Sequence, residues 1–282
     1  MIPYIPPSWT TLLKLGPIEV HLFGVLVAIG ILVGADRTRH RGLQLGLKAD
    51  ESASLATWIV VTGFIVGHIF DVIAYQPAEL AERSFGEAFL LLVNPAAGLS
   101  SFGGFLGALM ALIYWTQRER KPILVCADSL LYGLSFGWFF GRLGCFTAHD
   151  HPGAFTTFFL GVNYPEGRRH DLGFEEALFA GVLAGSFALL SLRPHRTGFY
   201  AAIACSFYGP VRFALDFLRV ADVPGADPRY LGLTPAQYGS LAVFVTGLVI
   251  AYRIIARGPD AASRGEPVIV AAPPPTPAKR RA

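Results

Sequence analysis

FGRLGCFTAHDHPG, Phe140 to Gly153, closes an apolar run about one bilayer thick and sets an arginine inside it. His149, Asp150 and His151 follow at once. In a soluble protein Arg142 would be ordinary. In a helix crossing a bilayer it costs about 2.5–3.5 kcal/mol and needs an anion. Composition chooses between these readings. The chain has 282 residues, of which 53% are apolar and 15% charged. A soluble domain carries about 25% charged residues. Here the charges sit in short islands between long apolar runs, the pattern of a chain that crosses a membrane several times.

Around that stretch the chain reads as about seven spans, at roughly 18–35, 53–75, 98–117, 123–146, 174–192, 197–218 and 234–256. The runs do not alternate as barrel strands would, so an all-α polytopic bundle is expected. Basic islands orient it: Arg37, Arg39, Arg41 and Lys48; Arg118, Arg120 and Lys121; Arg193 and Arg196; and the C-terminal end from Arg253. They alternate with loops poor in Lys and Arg, which places the N-terminus outside and the C-terminus in the cytoplasm. The first residues lack the pattern of a cleavable leader, so the N-terminus is expected to stay. Residues 1–257 read as one integral-membrane domain. Its external segments fall at about 76–97, with an amphipathic helix suited to a membrane surface, and at about 147–173. Residues 258–282, Pro-rich and basic, read as a disordered cytoplasmic tail. Cys126, Cys145 and Cys205 lie in apolar sequence, an odd set that argues against a disulfide framework.

Several polar groups interrupt the apolar runs. Tyr208, Arg212, Asp216 and Arg219 follow at spacings of four, four and three and form one stripe if helical. Asp216 can reach both arginines. It cannot also neutralise Arg142, and the surplus positive charge suits a phosphate at headgroup depth, whose oxygens match a planar guanidinium. A self-neutralising buried pair is the structural alternative. His68 and Asp71, three apart, read as a pair; Asp128 reads as an anchor at the inner face. Gly63 with Gly67 suggests helix packing, while Gly103, Gly104 and Gly107 suit either packing or room for an acyl chain. His149, Asp150 and His151 offer metal-ligand types, but the histidines are not at helical spacing and no second ligand cluster is evident. No metal and no cofactor are expected. A polar interfacial loop and a substrate-positioning role stay open for this segment. Cys145 reads as a small buried apolar residue.

GRLGCF, YGPVRFALDFLR and LTPAQYGSLA, in that order, resemble the bacterial prolipoprotein diacylglyceryl transferases, over most of residues 17–256. The resemblance implies a seven-span enzyme of the bacterial cytoplasmic (inner) membrane. Such an enzyme moves diacylglyceryl from phosphatidylglycerol to the lipobox cysteine of a prolipoprotein, leaving a thioether and releasing glycerol 1-phosphate. It implies catalytic roles for Arg142 and Arg212. Contacts to phosphatidylglycerol are implied for Arg142, Arg212, Arg219, Tyr208, Asp216, Gly144, Asp150 and Gly153. Glu176 matches the acidic end of an external RHP-like segment, and Gln237 falls in the LTxxQ segment. The expected partners are phosphatidylglycerol, the lipobox of a prolipoprotein signal peptide and membrane lipid, and no nucleic acid.

Three departures bear on mechanism. Phe102 stands where the family has a histidine proposed as base, Cys145 where it has Asn, and Phe23 where it has Tyr. The base is therefore expected to be His149 or His151, just beyond the Arg142 helix. A divergent paralogue that binds or moves phospholipid, or that lipidates a different acceptor, without prolipoprotein transferase activity is the alternative. A solute transporter would be expected to show inverted repeats, and none is visible.

Overall fold

The computed structural model of the chain describes residues 2–16, 18–94, 98–220 and 229–268. In chain order the elements are β1 (Ile2–Pro3), α1 (Pro7–Thr10), β2 (Thr11–Leu15), β3 (Ile18–His21), α2 (Leu22–Gln44), α3 (Ala49–Tyr75), α4 (Pro77–Glu82) and α5 (Phe85–Val93). After these come α6 (Ser101–Arg118), α7 (Ile123–Ala148), β4 (Pro152–Phe155), β5 (Val162–Tyr164), β6 (Gly167–Asp171), α8 (Leu172–Leu190), α9 (Phe199–Leu215) and α10 (Pro235–Arg257). The chain is mostly helical. Among the described residues, five stretches are long and apolar enough to cross a membrane: Ala49–Ala74, Ile123–Ala148, Leu172–Leu190, Phe199–Leu218 and Pro235–Arg257. The other two expected spans fall on α2, whose second half carries Asp36, Arg37, Arg39 and Arg41, and on α6, which has 18 residues.

Glycine sets how the helices meet. On α2, a Cβ at Gly30 would lie 2.7 Å from Gly137 O of α7, and one at Gly137 would lie 2.6 Å from Gly30 O. Gly133 is as tight against Gly34 O, at 2.4 Å. Backbones therefore touch along this crossing, which is how helices gain contact where lipid offers no hydrophobic drive. Gly103 and Gly107 of α6 press likewise on Gly67 and Gly63 of α3, with Cβ positions 3.0 and 3.1 Å from the opposing Cα atoms. Of the two roles left open for these α6 glycines, Gly103 and Gly107 take packing. Gly209 of α9 completes the pattern against Ser240 O of α10, at 2.7 Å.

One end of the bundle collects the basic islands. Arg41 donates from Nε and Nη2 to Asp128 Oδ2 at 3.0 and 2.8 Å, and Nη2 also reaches the carbonyls of His195 and Arg196. Asp128 Oδ1 accepts from Ala201 N at 3.0 Å. This buried latch joins α2, α7 and the start of α9 through Asp128. Beside it, Ala262 packs with Leu45, Leu47, Leu55, Trp115, Val125 and Cys126. Asp260 accepts from Thr197 N at 2.9 Å and from Ser263 N, in a 3-10 turn at Ala262–Arg264, at 3.0 Å. The segment 259–268 is thus docked, and the expected disordered tail does not begin at Gly258. Residues 269–282 lie outside the described residues.

Strands at the opposite end correct the all-α expectation. A four-stranded sheet, ordered β1-β5-β6-β4, joins three strands of the expected external loop to the N-terminal β1, and β2 pairs with β3 as a hairpin. The rule that confines membrane-crossing backbone to helices does not bind chain outside the apolar runs, so short strands can pair there. His68 and Asp71 are not paired either. His68 Nδ1 and Nε2 face the carbonyls of Gly98 and Leu92 at 3.0 and 3.1 Å, while Asp71 accepts from Gln76 Nε2 at 2.8 Å. His68 thus reaches α5 and the segment before α6, and Asp71 the residue just after α3. Helices α4 and α5 fill most of the expected surface segment; residues 95–97 lie outside the described residues. Ser84 and Glu87 cap α5, and Phe85, Phe89, Leu90 and Val93 stay exposed.

Candidate active site

Arg142 lies in the last two turns of α7 and is buried. Its anion is Glu176, in the first turns of α8: Nε stands 3.2 Å from Oε2, an ion pair without hydrogen-bond alignment. Trp138, one turn before Arg142, places its ring 4.5 Å from the guanidinium and donates Nε1 to Glu176 Oε1 at 3.1 Å. Tyr208 of α9 donates to the same oxygen at 2.8 Å. Glu176 thereby ties α7, α8 and α9 together. Arg142 Nη1 also points at Cys145 Sγ, 3.7 Å away.

Arg212 follows Tyr208 by one turn and pairs with Asp216 Oδ1 at 2.9 Å. Helix α9 ends at Leu215, so Asp216 opens a 3-10 turn and Arg219 lies just beyond it. The polar stripe is therefore not one continuous helix. Asp216 still reaches both arginines, with Arg219 Nη1 at 3.9 Å. Thr234 donates its hydroxyl to Asp216 Oδ2, caps α10 and is closed by Gln237, whose Oε1 accepts from Thr234 N at 3.0 Å. That capping box is the physical content of the LTPAQ segment. Side-chain exposure rises from 5% at Arg142 to 12% at Arg212 and 29% at Arg219, so access opens toward Arg219. The ion-paired groups, three guanidiniums and two carboxylates, sum to one positive charge. Counting Asp216 alone overstated the surplus, because Glu176 is buried beside Arg142.

The two glycines of the site serve close approach. A Cβ on Gly144 would stand 3.1 Å from the Phe23 ring, and one on Gly153 would stand 2.8 Å from His170 Cβ and 2.9 Å from Leu218 O. Gly153 also bridges Arg219 backbone to backbone, which binds the sheet to the end of α9. Phe102 packs tilted against Phe70, ring centroids 5.3 Å apart, and lies against Gly239 of α10.

The histidines divide. His149 is buried, with a left-handed backbone (φ 49°) that ends α7. Nδ1 lies 2.6 Å from Asp171 Oδ2, and Nε2 accepts from Ile5 N at 3.0 Å. Tyr4 stacks on its ring at 4.4 Å. Asp171 also accepts from Tyr164 at 2.8 Å and caps α8 through Phe174 N at 2.9 Å. Burial, then the Asp171 carboxylate, pushes the Tyr164 phenol above its ordinary range, so it stays a donor. His149 thus joins the N-terminal strand, the sheet and two helices. His151 is part-exposed at the lip. Its Nδ1 touches Asp150 Oδ1, and Nε2 has no hydrogen-bond partner among the described residues. Sequence reasoning had no role for Trp138, Asp171, Tyr164 or Thr234. Only Thr234 left a local signal, the T-P-A-Q spacing of a capping box.

Residues 10–253 match the family model described as prolipoprotein diacylglyceryl transferase. Among proteins named phosphatidylglycerol--prolipoprotein diacylglyceryl transferase, one from Cereibacter sphaeroides (strain ATCC 17029 / ATH 2.4.9) is 31% identical, over 83% of this chain and 94% of its own length. One from Solidesulfovibrio magneticus is 30% identical over 88% and 94%. A third, from a Wolbachia of Brugia malayi, is 27% identical over 84% and 91%. With GRLG and YGPVRFALDFLR at one end of the bundle and the match running through both, this chain belongs to the prolipoprotein diacylglyceryl transferase family.

Proposed function

We propose that this chain transfers the diacylglyceryl group of phosphatidylglycerol to the lipobox cysteine thiol of prolipoproteins, forming a thioether and releasing glycerol 1-phosphate. The observation that carries this is the chain of contacts from Arg142 through Glu176 and Tyr208 to the helix of Arg212, which pairs with Asp216 just beyond it. It holds guanidiniums inside an apolar bundle with one positive charge in excess. Arg142 and Arg212 bind the phosphate and stabilise the charge that grows on it as the ester C–O bond breaks. Arg219, the most open, receives the departing glycerol phosphate. Tyr208 and Asp216 orient the guanidiniums. Gly144 and Gly153 let Phe23 and His170 pack close, and Asp150 completes the lip.

A free thiol has a pKa near about 8.5, so the acceptor is mostly protonated at neutral pH. Activation of that thiol is assigned to His151 with Asp150. His149, with both nitrogens engaged, positions the segment instead. The bundle is read as about seven spans in the bacterial inner membrane, counting α2 and α6. The sheet end and N-terminus face outward, and the basic end faces the cytoplasm. Clustering of Arg41, Arg196 and the docked C-terminal segment at one end supports that orientation. A member that binds or moves phospholipid without transfer is the second reading, favoured by the apolar packing of Phe102. Complementation of cells depleted of the transferase separates them. Rescue by the wild type and by neither Arg142→Ala nor Arg212→Ala is expected; no rescue by the wild type favours the second reading.

A further inference from the structure

Cys145, Asp150 and His151 come together at the lip of the site, although no helical spacing relates them. Helix α7 ends at Ala148, and the left-handed backbone of His149 turns the chain back over the helix's last turn. One ligand atom from each of the three residues, a thiol sulfur, a carboxylate oxygen and an imidazole nitrogen, then lies within 4.8 Å of the others. The segment is held from several sides. His149 is fixed by Asp171 and Ile5, His151 O accepts from Leu172 N at 3.1 Å, and Gly153 is seated against His170.

We propose that these three residues bind a zinc-class divalent cation with a fourth position open. Zinc takes Cys, His and Asp ligands at about 2.0–2.3 Å, and sites that act on substrate keep three protein ligands. The three donor atoms, all within 4.8 Å of one another, would reach that shell by side-chain rotation. Charge balances: a thiolate and a carboxylate offset the cation, and Glu176 offsets the adjacent Arg142. Arg142 Nη1, aimed at Cys145 Sγ, becomes the outer hydrogen-bond donor that a metal-bound thiolate favours. Imidazole and carboxylate in contact at Asp150 and His151 are likewise separated and satisfied by a shared ion.

The role of this cation rests on the transferase reading; its binding does not. In the open position the acceptor thiol binds as thiolate, and its proton passes to water at the exposed side of Asp150. The sulfur lone pair then forms the C–S bond at the glyceryl carbon. The C–O bond to phosphate breaks, its electron pair leaves on the phosphate oxygen, and no atom changes oxidation state. His151 acts here as a ligand, in a chain whose Phe102 offers no imidazole.

Cobalt tests the site on the whole purified protein. Titration with Co²⁺ is expected to give a sulfur-to-cobalt charge-transfer band that saturates near one ion per chain. Cys145→Ser abolishes the band, while Asp150→Asn and His151→Ala weaken binding by about 10–100-fold. No band at saturating Co²⁺, or a band unchanged in Cys145→Ser, overturns the site. Thioether formation is expected to fall on chelation and return with Zn²⁺. Full activity of stripped protein overturns the role in thiol activation. A cobalt band without any thioether product contradicts the transferase reading and leaves the site standing.

Discussion

Arg142 meets Glu176 inside the bundle, and Glu176 is held in turn by Trp138 and Tyr208. Removing one partner of such a pair leaves an uncompensated charge, which costs about 3–5 kcal/mol. Glu176→Gln keeps the shape and an acceptor for Tyr208 but not the charge. Single-turnover thioether formation by this variant is expected to fall on the order of 10²-fold; an unchanged rate excludes a part for the pair. The two histidines give opposite expectations. His149→Ala strips a partner from buried Asp171 and is expected to cost about 1–3 kcal/mol of stability, read as a lower Tm in detergent. His151→Ala is expected to leave Tm in place and to slow transfer on the order of 10²-fold. Equal Tm losses in both would refute the division. Arg142 and Arg212 were legible because a charge in an apolar run is a large free-energy anomaly. Glu176 was reached only through the resemblance of RRHDLGFEEAL to the family's external segment; its pairing with Arg142 was not legible, because the two are brought together only when α8 packs on α7.

The helices pair through backbone contact, and the α2–α7 crossing sets where Arg142 sits. A methyl at Gly137 would need space now held by Gly30 O. Gly137→Ala is expected to cost about 1–3 kcal/mol by overpacking and to lower transfer as well, since α7 must shift. Thermal unfolding with a parallel activity assay checks this; a variant as stable and active as the wild type would show that the crossing is looser than described. Long apolar helices were legible from hydropathy because the bilayer fixes their length. The strands were not. β1, β4, β5 and β6 have two to five residues each, too short for alternation to register, and their pairing depends on distant partners such as Ile2 with Val162. The end of α9 at Leu215 was missed for a similar reason: Thr234, far along the chain, draws Asp216 out of the helix.

Across the whole molecule the two ends do different work. The sheet end gathers the guanidiniums, and the basic end is closed by the Arg41–Asp128 latch and the docked segment near Ala262. Burial opposes the charge on Asp260, yet hydrogen bonds from Thr197 and Ser263 hold its carboxyl below the usual range. A depressed carboxyl stabilises docking above its unfolded pKa of about 3.9 and loses that contribution as pH falls through the folded value. Protease cleavage within 258–268 is therefore expected to stay slow from neutral pH down to about 4 and to rise only below it. Asp260→Asn should remove the acid dependence. Rising cleavage already near neutral pH would show that another group holds the segment.

The proposed grip of Arg142 and Arg212 on a phosphate is tested most directly with purified protein, labelled phosphatidylglycerol and a lipobox peptide, read by mass spectrometry of the peptide. Thioether product with stoichiometric glycerol phosphate is expected from the wild type. Arg142→Ala and Arg212→Ala are each expected to lose at least about 10²-fold in rate while remaining folded. Product formed at the wild-type rate by both variants would contradict it.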